Sequence, residues 1–253
     1  MSAMLNVNGL TMQFGGIHAL QDVSFEVATG STTAVIGPNG AGKTTLFNCI
    51  TGMYRPTLGS VSMQGTVISG LPAHRIAGHG VARTFQNLAL FNGLTVLENL
   101  MAGAHLKGHS GLLQGALPSS GARRERLAAQ HAALETLAFM GLSDMAHAMP
   151  SELSYGRQKQ VEFGRALMQR AKLVLLDEPM AGMSTPEKTA MSALIERVKA
   201  EFDMTFLIVE HDIPVVMSLA DHIVVLDFGQ KIADASPAEV RQDPVVIAAY
   251  LGT

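Results

Sequence analysis

The stretch Gly37-Pro38-Asn39-Gly40-Ala41-Gly42-Lys43-Thr44 matches all four fixed positions of the phosphate-binding loop pattern. Residues 31–36 (STTAVI) are rich in β-branched side chains and predict a strand before it, and 44–50 can continue as a helix. Glycines in this setting let the backbone N–H groups point inward, and the helix N-terminus adds partial positive charge. The stretch therefore predicts a nucleoside triphosphate site rather than a chance glycine-rich turn.

Two side chains at the end of this loop carry chemistry. Lys43 can reach the β and γ phosphates of the nucleotide, and the hydroxyl of Thr44 is placed to coordinate Mg²⁺. The loop alone does not identify a reaction. The predicted phosphate-binding residues are Gly37, Pro38, Asn39, Gly40, Ala41, Gly42, Lys43, Thr44 and Thr45.

The composition limits the class of protein. With 253 residues and 47% hydrophobic content, the chain can bury the core of one large domain with room for an inserted subdomain. A formal net charge of −3 offers no general attraction to nucleic acid, which is not an expected partner. The single cysteine, Cys49, excludes an intrachain disulfide, and the N-terminus lacks a signal-peptide pattern, so we expect a cytosolic protein. A mean hydropathy of +0.24 predicts protein partners that cover apolar surface.

Acidic residues directly follow two apolar stretches. Asp177-Glu178 follows the predicted strand 172–176, and Glu210-His211-Asp212 follows the predicted strand 205–209. Acids at the end of a buried strand are costly unless they have a function. In a phosphate-loop protein the first acid holds Mg²⁺ and the second acts as general base, while a solvated strand end is the alternative. Because strands and helices alternate, we predict a parallel α/β sheet with its ligand at the carboxyl edge.

The remaining chain predicts a β-rich opening and a helical insertion. Residues 1–30 and 60–68 show strand-like alternation, and the capping box Thr95-Val96-Leu97-Glu98 opens a helical region. A glycine- and serine-rich segment, 108–121, is expected to be a mobile loop. A further helix is predicted over 123–140, because the apolar residues Leu127, Leu134, Leu137 and Ala138 recur there at helical spacing.

Three positions carry more than one interpretation. Phe14 stands before the turn Gly15-Gly16 and either stacks on a purine or packs inside the sheet; packing is favoured because aromatic residues are commoner in cores. Ser154 is placed to cap a helix, which by itself is only a helix start. Residues 227–230 (DFGQ) imitate a kinase metal-binding tripeptide, but the kinase catalytic-loop pattern is absent and a hairpin turn fits better.

Five motifs in the expected order make this chain resemble the ATP-binding subunit of an ABC transporter. They are 37–44 (GPNGAGKT), Phe85-Gln86, 153–160 (LSYGRQKQ), 173–179 (LVLLDEP) and Glu210-His211. The segments that look like the branched-chain amino-acid type of importer are 14–16 (FGG), 83–86 (RTFQ), 94–100 (LTVLENL) and 249–252 (AYLG).

The resemblance covers essentially the whole chain and implies its fold and domains. It implies an α/β, RecA-like phosphate-loop NTPase core with an N-terminal antiparallel β subdomain, at about 1–86 and 160–253. A helical subdomain would be inserted at about 87–159. One alternative is a soluble ABC protein acting on DNA or ribosomes, although such proteins usually carry two cassettes or a long coiled-coil insertion. Another is a regulatory nucleotide-binding module that switches shape without turnover.

The resemblance also implies a role for each matching residue. Phe14 would stack on adenine, which reverses the preference stated above, and Gln86 would touch Mg²⁺ or the attacking water. Asp177 would support Mg²⁺, Glu178 would be the general base, and His211 would hold the γ-phosphate and orient the base. ATP and Mg²⁺ are thus the implied cofactors.

The resemblance further implies a site that is complete only in a head-to-tail dimer. Ser154 and Gly156 would bind the γ-phosphate held by the opposite ATPase subunit. Tyr155, Arg157 and Ser184 depart from the usual residues of the family, and these departures bear on cross-talk between subunits more than on nucleotide binding.

The implied partners are transmembrane permease subunits and a second ATPase subunit, identical or related. An extracytoplasmic solute-binding protein would act with them indirectly. The implied location is the cytoplasmic face of the bacterial inner membrane, as a peripheral subunit.

Overall fold

The computed structural model describes residues 2–84, 88–104 and 120–251. The strands are β1 (Ala3–Phe14), β2 (Ile17–Ala28), β3 (Thr32–Ile36), β4 (Leu58–Met63), β5 (Thr66–Val67), β6 (Val81–Arg83), β7 (Leu173–Asp177), β8 (Thr205–Val209), β9 (His222–Asp227) and β10 (Gln230–Ala235). The helices are α1 (Lys43–Ile50), α2 (Ala73–Gly78), α3 (Val96–Ala104), α4 (Ser120–Met140), α5 (Tyr155–Leu167), α6 (Thr185–Phe202), α7 (Ile213–Leu219), α8 (Pro237–Val240) and α9 (Pro244–Leu251).

The N-terminal strands form an antiparallel sheet in the order β2-β1-β4-β5. The predicted strand over 60–68 is two strands, because Gln64 and Gly65 both have positive φ and make a tight turn between β4 and β5. The predicted antiparallel β subdomain is confirmed.

The second sheet has the order β10-β9-β3-β8-β7-β6, and all neighbouring pairs except β10 with β9 are parallel. Every residue of β3, β7 and β8 is buried, as expected for parallel strands covered on both faces. Since parallel strands end at one edge, the residues that follow β3, β7 and β8 are neighbours. The predicted α/β fold class is confirmed.

Helix α1 joins the phosphate loop to the main hydrophobic core. Its residues Leu46, Phe47, Cys49 and Ile50 are buried and belong to one hydrophobic cluster with side chains of β1, β2, β7 and β8. The loop before α1 is therefore anchored by a rigid element on its helical side.

The chain divides into two compact units. The first comprises Met1–Arg83, Lys172–Pro179 and Ile195–Thr253, and the second comprises Thr84–Ala171 and Met180–Leu194. The first unit contains both sheets, while α3, α4, α5 and the start of α6 lie in the second. The limits of 87–159 for a helical subdomain remain a prediction.

Glycines set the helix packing in the second unit. A Cβ on Gly103 of α3 would lie 2.2 Å from the carbonyl oxygen of Arg165 on α5, so only glycine permits this close approach.

Most of the predicted loop 108–121 falls outside the described residues, but α4 already begins at Ser120. Leu127 and Leu134, which we placed on an apolar helix face, are largely exposed, whereas Leu137 is buried. No described helix is long and apolar enough to span a membrane.

Cys49 offers a direct test of the core around α1. The thiol is fully buried, and burial raises its pKa to about 11. Folding therefore favours the neutral thiol, and this contribution to stability is lost as the pH rises toward the folded-state pKa. At pH 8 we expect a thiol reagent to label native Cys49 at least about 100-fold more slowly than the urea-unfolded chain. An added exposed cysteine, Thr66→Cys, should react at once, and equally fast labelling of Cys49 would contradict this packing.

Candidate functional site

The phosphate loop is supported from behind by the tip of the β9–β10 hairpin. The carbonyl oxygen of Ala41 accepts a hydrogen bond from the N–H of Gly229 at 3.1 Å, and the N–H of Gln21 donates to the Gly229 carbonyl at 2.8 Å. A Cβ on Gly37 would lie 2.0 Å from the Leu226 carbonyl oxygen, so this position admits only glycine. The predicted hairpin turn at 227–230 is confirmed, and its role is to hold the loop.

Lys43 turns back onto its own loop. Its Nζ donates to the carbonyl oxygens of Gly37 at 2.6 Å and Pro38 at 2.9 Å. Burial lowers the pKa of Lys43, and the negative charge of Glu178 opposes that shift. The ammonium group thus lies in the mouth of the loop, within electrostatic reach of the Glu178 carboxylate.

The first turn of α1 presents donors toward the same place. Its N-cap residue, Gly42, has φ +100 and offers no side-chain cap. A Cβ there would lie 2.6 Å from the Ala19 carbonyl oxygen. Thr44 is exposed and Thr45 half-buried, so both hydroxyls are near the helix start. Helix N–H groups, a lysine and a glycine-lined curl fit a polyphosphate.

Asp177, at the end of β7, is buried and paired with Arg83, a residue of the segment 83–86 to which the resemblance gives no role. Arg83 Nη2 donates to Asp177 Oδ2 at 2.6 Å, and Arg83 Nη1 donates to Asn48 Oδ1 at 2.7 Å. The Arg83 guanidinium also lies 5.5 Å from the centre of the Phe47 ring. Arg83 therefore ties the acid of β7 to helix α1.

Glu178 and His211 face each other at the same edge. Glu178 has φ +47, an uncommon backbone conformation for a non-glycine residue, and its N–H donates to the Val209 carbonyl at 2.9 Å. His211 Nδ1 lies 3.8 Å from Glu178 Oε1, and the His211 side chain is 60% exposed. The strained backbone of Glu178 aims its carboxylate toward the histidine.

The side-chain oxygens at this edge of the sheet suit a magnesium ion whose other ligands are mainly phosphate oxygens. The part of the chain that the structure describes has no cluster of three or more His, Cys, Asp and Glu side chains suited to a metal. Mg²⁺ commonly takes one or two protein oxygens together with substrate phosphates, and Thr44 and Asp177 are of that kind. Gln86 lies outside the described residues.

Phe14 closes the end of β1 against another aromatic residue. Its ring and that of Tyr54 are 5.2 Å apart at 77°, an edge-to-face contact. Phe14 remains 43% exposed, so it is not a core residue of the sheet. Tyr54 belongs to none of the sequence motifs, so its contact with Phe14 was not predicted from the sequence. Stacking of Phe14 on adenine remains a prediction.

The second unit holds the residues around Ser154. Ser154 caps α5, because its Oγ accepts from the N–H of Arg157 at 3.4 Å. The Tyr155 ring packs over Gly182, where a Cβ would lie 3.2 Å from Cε1 of the tyrosine. The unusual tyrosine thus covers a glycine of positive φ (+76) in the turn before α6.

The side chain of Glu187, in the first turn of α6, also contacts the start of α5. Its Oε2 accepts from the N–H of Ser184 at 3.0 Å, and its Oε1 lies 3.4 Å from Ser154 Oγ. A Cβ on Gly156 would lie 2.5 Å from Glu187 Oε1. In the sequence, Ser184-Thr185-Pro186-Glu187 predicts a capped helix start with Glu187 as the capping glutamate, and nothing in that pattern indicates a contact with α5.

Comparisons with known proteins give two family matches and several similar proteins. Residues 20–181 match the family described as ABC transporter, and residues 230–253 match the family described as branched-chain amino acid ATP-binding cassette transporter. The chain is 43% identical over 249 residues to the high-affinity branched-chain amino acid transport ATP-binding protein BraF of Pseudomonas aeruginosa, covering 98% of each.

Two solved structures are similar over nearly the whole chain. An ATP-binding cassette of an ABC transporter in its ADP conformation is 33% identical, with a TM-score of 0.87 and 100% coverage of both chains. A bacterial ABC transporter cassette solved as a dimer is 25% identical, with a TM-score of 0.77 over 92% of this chain and 99% of that one.

The contact between Arg83 and Asp177 predicts strong coupling between the two residues. Arg83→Met leaves Asp177 buried without its cation, so we expect a loss of about 3 kcal/mol in the free energy of unfolding by urea. The double variant Arg83→Met, Asp177→Asn should lose at least about 1 kcal/mol less than the sum of the single variants. Arg55→Met, which alters an exposed arginine, is the control. Additive losses would refute the coupling.

Proposed function

Because this chain belongs to the family of ABC transporter ATP-binding cassettes, we propose that it drives an importer for branched-chain amino acids or a related small polar solute. The protein is an ATPase of the transporter type. The feature that supports the proposal most is the shared edge of β3, β8 and β7, from which the phosphate loop, His211 and Glu178 extend together. The C-terminal match at 230–253 supports the branched-chain type.

In this proposal the phosphate loop binds the polyphosphate of ATP. The N–H groups at the start of α1 and the Lys43 ammonium would hold the β and γ phosphates, for which Lys43 must leave the carbonyls of Gly37 and Pro38. The Phe14 ring, exposed beside Tyr54, would stack on adenine. The Lys43 ammonium would then be paired with phosphate oxygens instead of backbone carbonyl oxygens.

The catalytic step in this proposal belongs to Glu178. Its carboxylate would accept a proton from the attacking water, while His211, 3.8 Å away, would orient it and contact the γ-phosphate. When bound, Mg²⁺ supplies positive charge to the phosphate oxygens. Thr44, Asp177 and Gln86 would hold that ion, with Arg83 keeping the Asp177 carboxylate in place.

Turnover in this proposal needs partners. Ser154 and Gly156 would donate to the γ-phosphate held by a second cassette, as in a head-to-tail dimer, and the existence of a dimeric structural relative supports such an arrangement. Permease subunits would receive the resulting motion at the cytoplasmic face of the bacterial inner membrane. A separate solute-binding protein would deliver the solute from the other side.

The phosphate-binding role of Lys43 is tested by Lys43→Ala. Loss of the ammonium removes the one side-chain charge of the loop, so the affinity for ATP should fall about tenfold or more. Calorimetry on the purified chain measures it. Lys172→Ala is the matched control, because Lys172 precedes β7 and lies at the opposite edge of the sheet. Unchanged ATP affinity in Lys43→Ala would exclude the phosphate-loop assignment.

The general-base role is tested by Glu178→Gln in the assembled transporter. The amide keeps the shape of the side chain but cannot accept a proton from water, so turnover should drop by about 100-fold or more while ATP still binds. Glu201→Gln, at an exposed position of α6, should hydrolyse ATP normally. Near-normal turnover of Glu178→Gln would move the base to another residue, with His211 next to examine.

A further inference from the structure

Glutamates cap several helices of this chain in the same way. Glu98 Oε2 accepts from the N–H of Thr95 at 2.9 Å, and Glu239 Oε2 accepts from the N–H of Ser236 at 2.9 Å. Glu187 does the same with Ser184 at 3.0 Å. Each of these bonds satisfies a donor at a helix start, so the cap by itself explains one oxygen of Glu187.

The other carboxylate oxygen of Glu187, Oε1, makes a contact that the helix cap does not require. Oε1 lies 3.4 Å from Ser154 Oγ, on a different helix. The carboxyl group also rests on Gly156, where a Cβ would lie 2.5 Å from Oε1 and 2.7 Å from Cδ. Any residue with a side chain at position 156 would therefore push the carboxylate away.

The contact is one of an anion with donor groups. Hydrogen bonds from Ser184, from the backbone of Gly156 and from the hydroxyl of Ser154 lower the pKa of Glu187. The pKa values of Glu98 and Glu239 are also lowered, by their own capping partners Thr95 and Ser236 and by the nearby charges of Arg126 and His222, but in the described part of the chain neither carboxylate accepts a hydrogen bond from a second helix start. Glu187 is thus a carboxylate at neutral pH that shares the donors of α5.

We propose that Glu187 is a positioning residue that holds the Ser154 hydroxyl and the Gly156 N–H until the γ-phosphate of the partner cassette's ATP takes them over. The proposal rests on the proposed function, in which the same two groups bind that phosphate. Carboxylate and phosphate are both anionic oxygen acceptors, so the donors stay correctly aimed in the separated cassette. The two anions cannot share the donors, because like charges at this distance repel.

A competition of this kind has a measurable consequence. The apparent affinity for ATP in the closed site is reduced by the fraction of cassettes whose donors are held by Glu187. Glu187→Gln replaces the charged acceptor by a neutral amide of the same shape, whose hydrogen bonds are about half as strong. The variant should therefore release the donors more easily.

The test uses the transporter purified with its own permease and partner cassette. We expect Glu187→Gln to lower the ATP concentration for half-maximal hydrolysis by about threefold or more, with kcat within about twofold of the wild type. Glu239→Gln removes an equivalent capping charge in the other compact unit of the chain and should behave as the wild type. A structural role of Glu187 alone would raise the half-saturating concentration or lower kcat. An unchanged or raised half-saturating concentration in Glu187→Gln overturns the proposal.

A second measurement tests the contact itself in the isolated chain. In wild-type protein the Gly156 amide proton should resonate further downfield than in Glu187→Gln, since a charged acceptor deshields it more. Identical Gly156 shifts would also overturn the proposal. The variant Ser154→Ala distinguishes a failure of this inference from a failure of the proposed function on which it rests. If Ser154→Ala leaves hydrolysis intact, the proposed use of Ser154 is wrong; if it stops hydrolysis while Glu187→Gln changes nothing, only the role of Glu187 is wrong.

Discussion

The site depends on a buried ammonium group held by two backbone carbonyls. Lys43 Nζ donates to the carbonyl oxygens of Gly37 and Pro38, and the loop that carries them packs so closely on the Leu226 carbonyl that position 37 has no room for a side chain. Exchange of neutral carbonyls for phosphate oxygens is favourable for a cation, since charge-assisted hydrogen bonds are about twice as strong as neutral ones. In the proposed function the loop is therefore shaped before ATP arrives, and the Lys43 side chain is the part that would move.

Two other charged side chains, Asp177 and Glu187, are also held in place by neighbouring residues of the proposed site. Arg83 ties Asp177 to helix α1, and Glu187 ties the turn before α6 to the start of α5. In the proposed function, Asp177 would thus meet Mg²⁺, and Ser154 and Gly156 would meet the γ-phosphate, from positions that a neighbouring side chain already fixes. Catalysis by positioned charge needs little rearrangement when such groups are already aimed.

The phosphate loop, the two acidic strand ends and the fold class could be predicted because each depends on a local pattern. Gly37, Glu178 and His211 follow apolar strands, and parallel pairing alone brings such residues together. Arg83, Tyr54 and the second contact of Glu187 could not be predicted, since each depends on which residues far apart in sequence become neighbours. The exposure of Leu127 and Leu134 was missed for the same reason, because helical spacing does not say which helix face is covered.

The central claim is that ATP replaces backbone carbonyls as the partner of Lys43. A crystal structure of the Glu178→Gln chain with Mg-ATP measures this directly. We expect Lys43 Nζ to lie within about 3.2 Å of β- and γ-phosphate oxygens. Its distances to the oxygens of Gly37 and Pro38 should rise beyond the present 2.6 and 2.9 Å. Nucleotide bound with Lys43 still on both carbonyls would contradict the account.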